Sequence, residues 1–295
     1  MKRPFALSLM LVLLIAFFSL SFHPNNSSED KGDAFISIET LVKSGKLKAQ
    51  AKSNGGHHGH CINISLENKS GETLGIFIEP GRRLMSYDSL SQDILIVKSR
   101  KLILSPGEKK TVDVFGFCCE SDKSSPEKGE TFSIGSMAPA EWVEIATLID
   151  TNNFPESALQ SAVWVVSNNH EISSVHHGNL EEINLLRKHL AKVKGVEVPW
   201  YSKTYVEEED RLFSNNPDKF YGKLEYYLRN NAMVTILVRN KSGNIMKQLV
   251  KAAAQGPGKY AYNVELDVKD WPKGDYEVYV YEDYSNLNKM QKFQL

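Results

Sequence analysis

The sequence predicts a mainly β protein: an α+β first domain, made of an antiparallel β-sandwich followed by about three helices, then a second, small β-sandwich. Three observations carry this. Short runs of alternating apolar and polar residues recur at roughly ten-residue spacing between positions 61 and 118. Apolar residues at helical spacing follow between Pro139 and Gly195. Beyond Pro217 the alternation returns, broken by glycine-bearing turns. Sheet first and helices after, within one stretch, is the α+β arrangement.

The bulk properties bound the reading. A chain of 295 residues favours two domains, and 41% hydrophobic against 24% charged residues supplies a real core. The formal charge of −1 leaves no basic footprint for nucleic acid and no polybasic membrane signal. Lys2 and Arg3 precede an apolar run that ends at Phe22, the layout of a signal peptide over 1–22. The expected locations are therefore the cell surface, the periplasm or the medium. A polar leader covers 23–33, and no later stretch is apolar enough to span a bilayer.

The first domain is expected over 34–195. Residues 35–42 alternate as a half-buried strand would, and 43–56 read as a polar connection. Strands follow at 61–66, 74–78, 92–97, 101–104 and 111–118, separated by turns such as Pro80-Gly81 and Ser105-Pro106-Gly107. After a polar loop, Pro139 opens a helix with Trp142, Val143, Ala146 and Ile149 as its stripe. Pro155-Glu156 opens a second, with Leu159, Val163 and Val166 on one face. Asn179 caps a third, with Glu181 and Glu182 in its first turn and Gly195 as its stop. Residues 196–218, which include the run Glu207-Glu208-Glu209-Asp210, read as a linker. The second domain, 219–295, has strands at 223–228, 233–238, 245–250, 260–266 and 276–281.

Val234-Thr235-Ile236-Leu237-Val238, Ser242-Gly243-Asn244 and Trp271-Pro272-Lys273-Gly274-Asp275-Tyr276 carry a family resemblance. This region resembles the immunoglobulin-like C-terminal domains of bacterial exported proteins, both the flagellar-hook-cap type and the sorting domains of the Bacteroidetes type IX pathway. The hook-cap type carries a Trp-Asp-Gly before its last turn. Tyr262-Asn263-Val264-Glu265-Leu266-Asp267 stands there instead, which leans towards the sorting type. The resemblance implies an immunoglobulin-like fold and a role in sorting or attachment, and specifies no ligand. Tyrosines crowd this domain from Tyr226 to Tyr284. Alternating along strands, they make a sugar- or protein-binding face or else cover a small sandwich.

Three cysteines are the first candidates for chemistry. Cys118 and Cys119 are neighbours, which strains a bond between them, so a disulfide from Cys61 to one of the two is expected. It would close a loop of 57 or 58 positions and stabilise by roughly 4 kcal/mol. The odd cysteine remains free or otherwise linked. His57-His58-Gly59-His60-Cys61 gathers imidazole and thiol groups suited to Zn²⁺, with His176 and His177 or Cys118 and Cys119 as completing ligands. The competing reading is a solvated polar turn whose cysteine is disulfide-bonded. His176-His177 taken alone read as surface-loop residues.

Gln160-Ser161-Ala162-Val163-Trp164 resembles the Gln-x-Ala-(Ile/Val)-Trp motif of thioester domains in bacterial surface adhesins. That resemblance implies a thioester between Gln160 and Cys118 or Cys119. The separation of 42 residues from Cys118 is short for the family, and Ala158-Leu159 replaces its threonine-bearing context. Otherwise Ala162, Val163 and Trp164 are helix core. No Gly-x-Ser-x-Gly, His-Glu-x-x-His or phosphate-loop motif occurs. The leading expectation is an exported non-enzymatic protein that binds or displays, with a protein or glycan partner at the cell surface.

Overall fold

The computed structural model describes residues 35–208 and 212–295. The expected signal peptide and leader, and the end of the acidic run, lie outside the described residues. The first domain begins with β1 (Ile36–Ser37), α1 (Ile38–Lys43), β2 (Leu47–Ser53), β3 (His58–Asn68) and β4 (Leu74–Ile78). It continues through β5 (Arg82–Ser86), β6 (Ile94–Ile96), β7 (Arg100–Leu104), β8 (Lys109–Cys118) and β9 (Thr131–Met137). Three helices follow: α2 (Ala140–Thr151), α3 (Glu156–Ser167) and α4 (Asn184–Lys194). The mainly β, α+β character read from the sequence is what the chain adopts.

Six of these strands close a barrel in the order β2-β3-β8-β6-β5-β9, every pairing antiparallel. A three-stranded sheet, β1-β4-β7, shares the barrel's core, since Ile76, Ile78 and Leu104 pack with Ile62, Ile64, Leu84 and Phe132. The layers read as a sandwich are thus this sheet and the barrel wall. Gly116 is where the wall tightens. A Cβ there would lie 2.7 Å from Ile94 Cγ2 and 2.9 Å from the Leu95 carbonyl oxygen, so only hydrogen fits.

Two expected segments change character. The strand expected at 35–42 is β1 for two residues only, then α1. Ile38 and Leu41, three apart, both face the core, and Glu39 bonds Lys43 one turn on. Glu39 also pairs with Arg82, a side chain 1% exposed that bonds Glu79 at 2.7 Å, the Gly135 carbonyl at 3.0 Å and Ser37 at 3.1 Å. A buried guanidinium needs such partners, and the helical turn brings Glu39 to it. The polar connection at 43–56 holds β2, whose small residues Ala51 and Ser53 face inward while Lys48 and Lys52 face out.

The outer face of β6 and β8 presents Leu95, Val97 and Phe117 to the helices, where Ile145, Ile149, Leu159, Val163, Leu186 and Leu190 build a second core.

The second domain has β10 (Tyr201–Tyr205), β11 (Pro217–Leu228), β12 (Ala232–Asn240), β13 (Ile245–Gln255), β14 (Gly258–Asp267), β15 (Asp275–Glu282) and β16 (Asn286–Gln294). The sheets β10-β11-β14 and β13-β12-β15-β16 face each other across Phe220, Leu224, Ile236, Val264, Val278 and Phe293. Gly243 takes φ 83° in the β12–β13 turn, as its sequence position requires. The segment read as a linker carries β10. It packs on the helical layer: Arg187 bonds the Pro199 and Tyr201 carbonyls at 3.0 and 2.5 Å, and His176 stacks on Tyr221.

Candidate functional site

The end of β8, the start of β3 and the first turns of α3 meet at one corner of the first domain. Cys118 donates its N–H to the His57 carbonyl at 2.8 Å, joining the two cysteine-bearing strands. Gln160, on α3, donates through Nε2 to the Cys118 carbonyl at 2.7 Å. Its Oε1 is buried and finds no hydrogen-bond partner among the described residues. The sequence motif around Gln160 therefore does face the Cys118–Cys119 peptide.

The three thiols part company. Cys61 and Cys118 pack inside the barrel, whereas Cys119 packs in the core under the helices. The Cys61 thiol lies 3.7 Å from the Gly116 carbonyl and the Cys119 thiol 3.3 Å from the Asp93 carbonyl. All three are free and buried, which corrects the expected disulfide from Cys61. A shared strand pair placed these cysteines near one another in the chain pairing, but alternation and a β-bulge between Gly59 and Ile62 set where each side chain packs. Burial pushes the Cys61 and Cys119 thiols up to about 12, and Cys118 is raised by burial and by Cys61 beside it.

The histidine turn does not converge either. His58 and His60 are exposed, flanking buried Gly59, while Cys61 packs inside the barrel. His58 Nδ1 meets Glu156 Oε1 at 3.0 Å, and His60 sits edge-on to Phe115. His176 bonds Ser202 and His177 bonds Ser157, so neither completes a ligand set with the turn. Among the described residues no group of three or more His, Cys, Asp and Glu side chains is placed to hold a metal ion. This arrangement does not support the zinc expectation, because strand alternation leaves His58 and His60 on the outer face and turns Cys61 into the barrel.

A site not resolved from sequence lies on the second domain. Tyr226, Tyr227, Arg229, Lys259, Tyr260 and Lys289 line an open groove of about 700 Å³ with Glu225, Ala261 and Asn288. Tyr226 and Tyr260 stack with centroids 5.5 Å apart, and each hydroxyl is tied down, to Gln255 and to the Gly256 carbonyl, both at 2.9 Å. Tyr227 stands 54% exposed beside them. The crowding of tyrosines was the visible signal. Which of them share a face depended on the β11–β14 register, Tyr226 opposite Tyr260. A smaller cavity, about 340 Å³, lies where the sandwich meets the helical layer, among His170, Glu171, Lys194, Tyr201 and Gln294. Two of its charged groups are engaged already, Glu171 with Lys203 and Lys194 with Asn169.

No protein family matches the chain, and no curated protein matches it. Similar solved structures include the CBM51-2 and INT domains of Clostridium perfringens ZmpB, in complex with GlcNAc, at 12% identity over 85% of this chain and 93% of that one, TM-score 0.19. Another is the β-glucosidase of Kluyveromyces marxianus in complex with glucose, at 12% identity over 84% of this chain and 50% of that one, TM-score 0.20. Similarity at this level carries no inference about fold or ligand. No helix among the described residues is long and apolar enough to cross a membrane.

Proposed function

We propose that this is an exported binding and display protein whose C-terminal sandwich attaches to an anionic glycan through the tyrosine-lined groove. The carrying observation is the lining of that groove. The exposed ring of Tyr227 and the half-buried ring of Tyr260 offer flat apolar surfaces to the C–H faces of a sugar, and Tyr226, buried in the sandwich core, backs Tyr260 by stacking on it. Arg229, Lys259 and Lys289 against a single carboxylate, Glu225, favour a ligand bearing carboxylate or sulfate groups. Export rests on Lys2, Arg3 and the apolar run ending at Phe22. The attachment role agrees with the resemblance of the C-terminal region to domains that sort or anchor exported proteins.

Isothermal titration with an acidic and a neutral polysaccharide tests it. The acidic chain binds with a salt-sensitive affinity, and Tyr227→Ala and Arg229→Ala each weaken binding by about tenfold or more. Binding that ignores both substitutions, or preference for the neutral chain, overturns the reading.

A second reading is favoured by one observation, the Gln160 side chain resting on the Cys118–Cys119 peptide with Oε1 unpartnered. We propose it as covalent adhesion: a thiol sulfur adds to the Gln160 side-chain carbonyl carbon and ammonia leaves, giving an internal thioester open to amine attack. Cys119, packed on the helical side, is the thiol this requires. Intact-mass spectrometry of the wild type would then show the loss of one ammonia, absent from Gln160→Ala protein. Full mass in the wild type ends it.

A further inference from the structure

We propose that the start of α3 carries a separate acyl-transfer site, in which Ser157 is the nucleophile, His177 its base and Glu182 the group that orients the base. The three come from different places in the chain. Ser157 is the second residue of α3, His177 lies in the loop beyond that helix, and Glu182 sits in the 3₁₀ turn Leu180–Ile183. Ser157 Oγ is 3.1 Å from His177 Nδ1. On the far side of the ring, His177 Nε2 is 3.5 Å from Glu182 Oε2. Glu182 is itself held, because its other oxygen accepts from Asn179 Nδ2 at 2.9 Å. Asn179 is in turn fixed as the cap of that turn, its Oδ1 accepting the Glu181 N–H at 3.2 Å.

The result is one connected set: Asn179 donates to Glu182, the Glu182 carboxylate lies within ion-pair range of His177 Nε2, and His177 Nδ1 is within hydrogen-bond reach of Ser157. A carboxylate at Nε2 favours the tautomer protonated there, which leaves the Nδ1 lone pair for the serine proton. A nucleophile within reach of a base, and that base held by a third group, is the minimum constellation for acyl transfer. The neighbouring Glu156 does not compete for His177, since it pairs with His58. Ser157 also stands in the first turn of a 12-residue helix, where positive dipole character favours a developing oxyanion.

The step balances without a redox partner. Ser157 Oγ bonds to the ester carbonyl carbon while its proton passes to His177 Nδ1. The carbon–oxygen bond to the alcohol then breaks, and the alcohol departs with that proton. Water repeats the sequence, releasing the carboxylic acid and restoring Ser157. The substrate class follows from exposure. Ser157 lies on the open surface of α3, which suits an ester displayed on a macromolecule, such as an O-acyl group of a polysaccharide.

A fluorophosphonate probe and p-nitrophenyl acetate, used on the full chain, test the proposal. Peptide mass mapping should place the phosphonate on Ser157. Ester hydrolysis should fall about 10²-fold in Ser157→Ala and in His177→Gln, with the circular dichroism spectrum of each variant unchanged. Glu182→Gln should lower the rate and shift its pH profile, as a change in the base's partner must. A probe that leaves Ser157 unmodified, or hydrolysis equal in wild type and His177→Gln, overturns it.

Discussion

Cys61, Cys118 and Cys119 sit in apolar surroundings that raise their thiols and hold their protons on. His170 follows the same logic with the opposite consequence for charge. Its ring lies 4.0 Å from that of Phe213 and 5.6 Å from that of Trp164, its Nε2 faces Ser121 Oγ at 2.9 Å, and its Nδ1 is buried without a partner among the described residues. Burial lowers it to about 4, against the opposing pull of the Glu171 charge. A depressed folded-state value means that the unfolded chain takes up its proton first. Stability from this group is therefore complete above the usual value of 6.5 and is lost as pH falls towards 4. Urea denaturation at pH 7.5, 6 and 5 should show wild type losing stability faster than His170→Gln across that window. His57 and His176, also lowered by burial, leave a residual slope in the variant. Parallel slopes in the two proteins would assign the effect to other groups.

At the scale of elements, what the sequence disclosed depended on whether a strand's inward face was large and apolar. β3 and β12 bury isoleucine, valine and leucine with a largely alternating pattern, and β4 and β6 are short runs buried almost throughout, so their apolar signal was plain. β2 buries Ala51 and Ser53, and β9 has Gly135 and Ser136 in its span, so neither announced itself, yet these two close the barrel. Closure was invisible for that reason, not because the pattern was ambiguous. α1 was misread because six residues hold too few turns for helical periodicity to outvote alternation, and the tertiary demand of Arg82 for Glu39 decides it. The helices α2, α3 and α4 were legible from their stripes and from Pro139, Pro155 and Gly195. For the candidate sites, the motif resemblance pointed Gln160 towards the cysteines although the spacing was short, but no spacing could reveal that His177 reaches Ser157, twenty residues away.

Across the whole molecule, the segment expected to be a linker is an interface, and this ties the groove-bearing sandwich to the first domain. Lys203 of β10, 2% exposed, bonds Glu171 at 2.8 Å and the Gln294 carbonyl at 3.0 Å, so one ammonium joins the helical layer, the first strand and the last strand of the sandwich. Burial would raise the Glu171 carboxyl, but hydrogen bonds from Lys203 and Ser173 outweigh it and hold it below its ordinary value. The two partners are unequal in exposure, since half of the Glu171 side chain reaches solvent. Removing the lysine leaves a carboxylate that can hydrate, whereas removing the glutamate strands a buried ammonium. Glu171→Ala should therefore destabilise by about 1–3 kcal/mol, since Lys203 keeps the Gln294 carbonyl, and Lys203→Met by distinctly less. Differential scanning calorimetry should also show the sandwich melting separately in Glu171→Ala, with wild type unfolding in one transition. The double variant isolates the cause. With no ammonium left to strand, it should recover most of the loss seen in Glu171→Ala. A double variant as unstable as the single one would trace the loss to the Ser173 contact of Glu171, at 2.7 Å, and away from the ion pair.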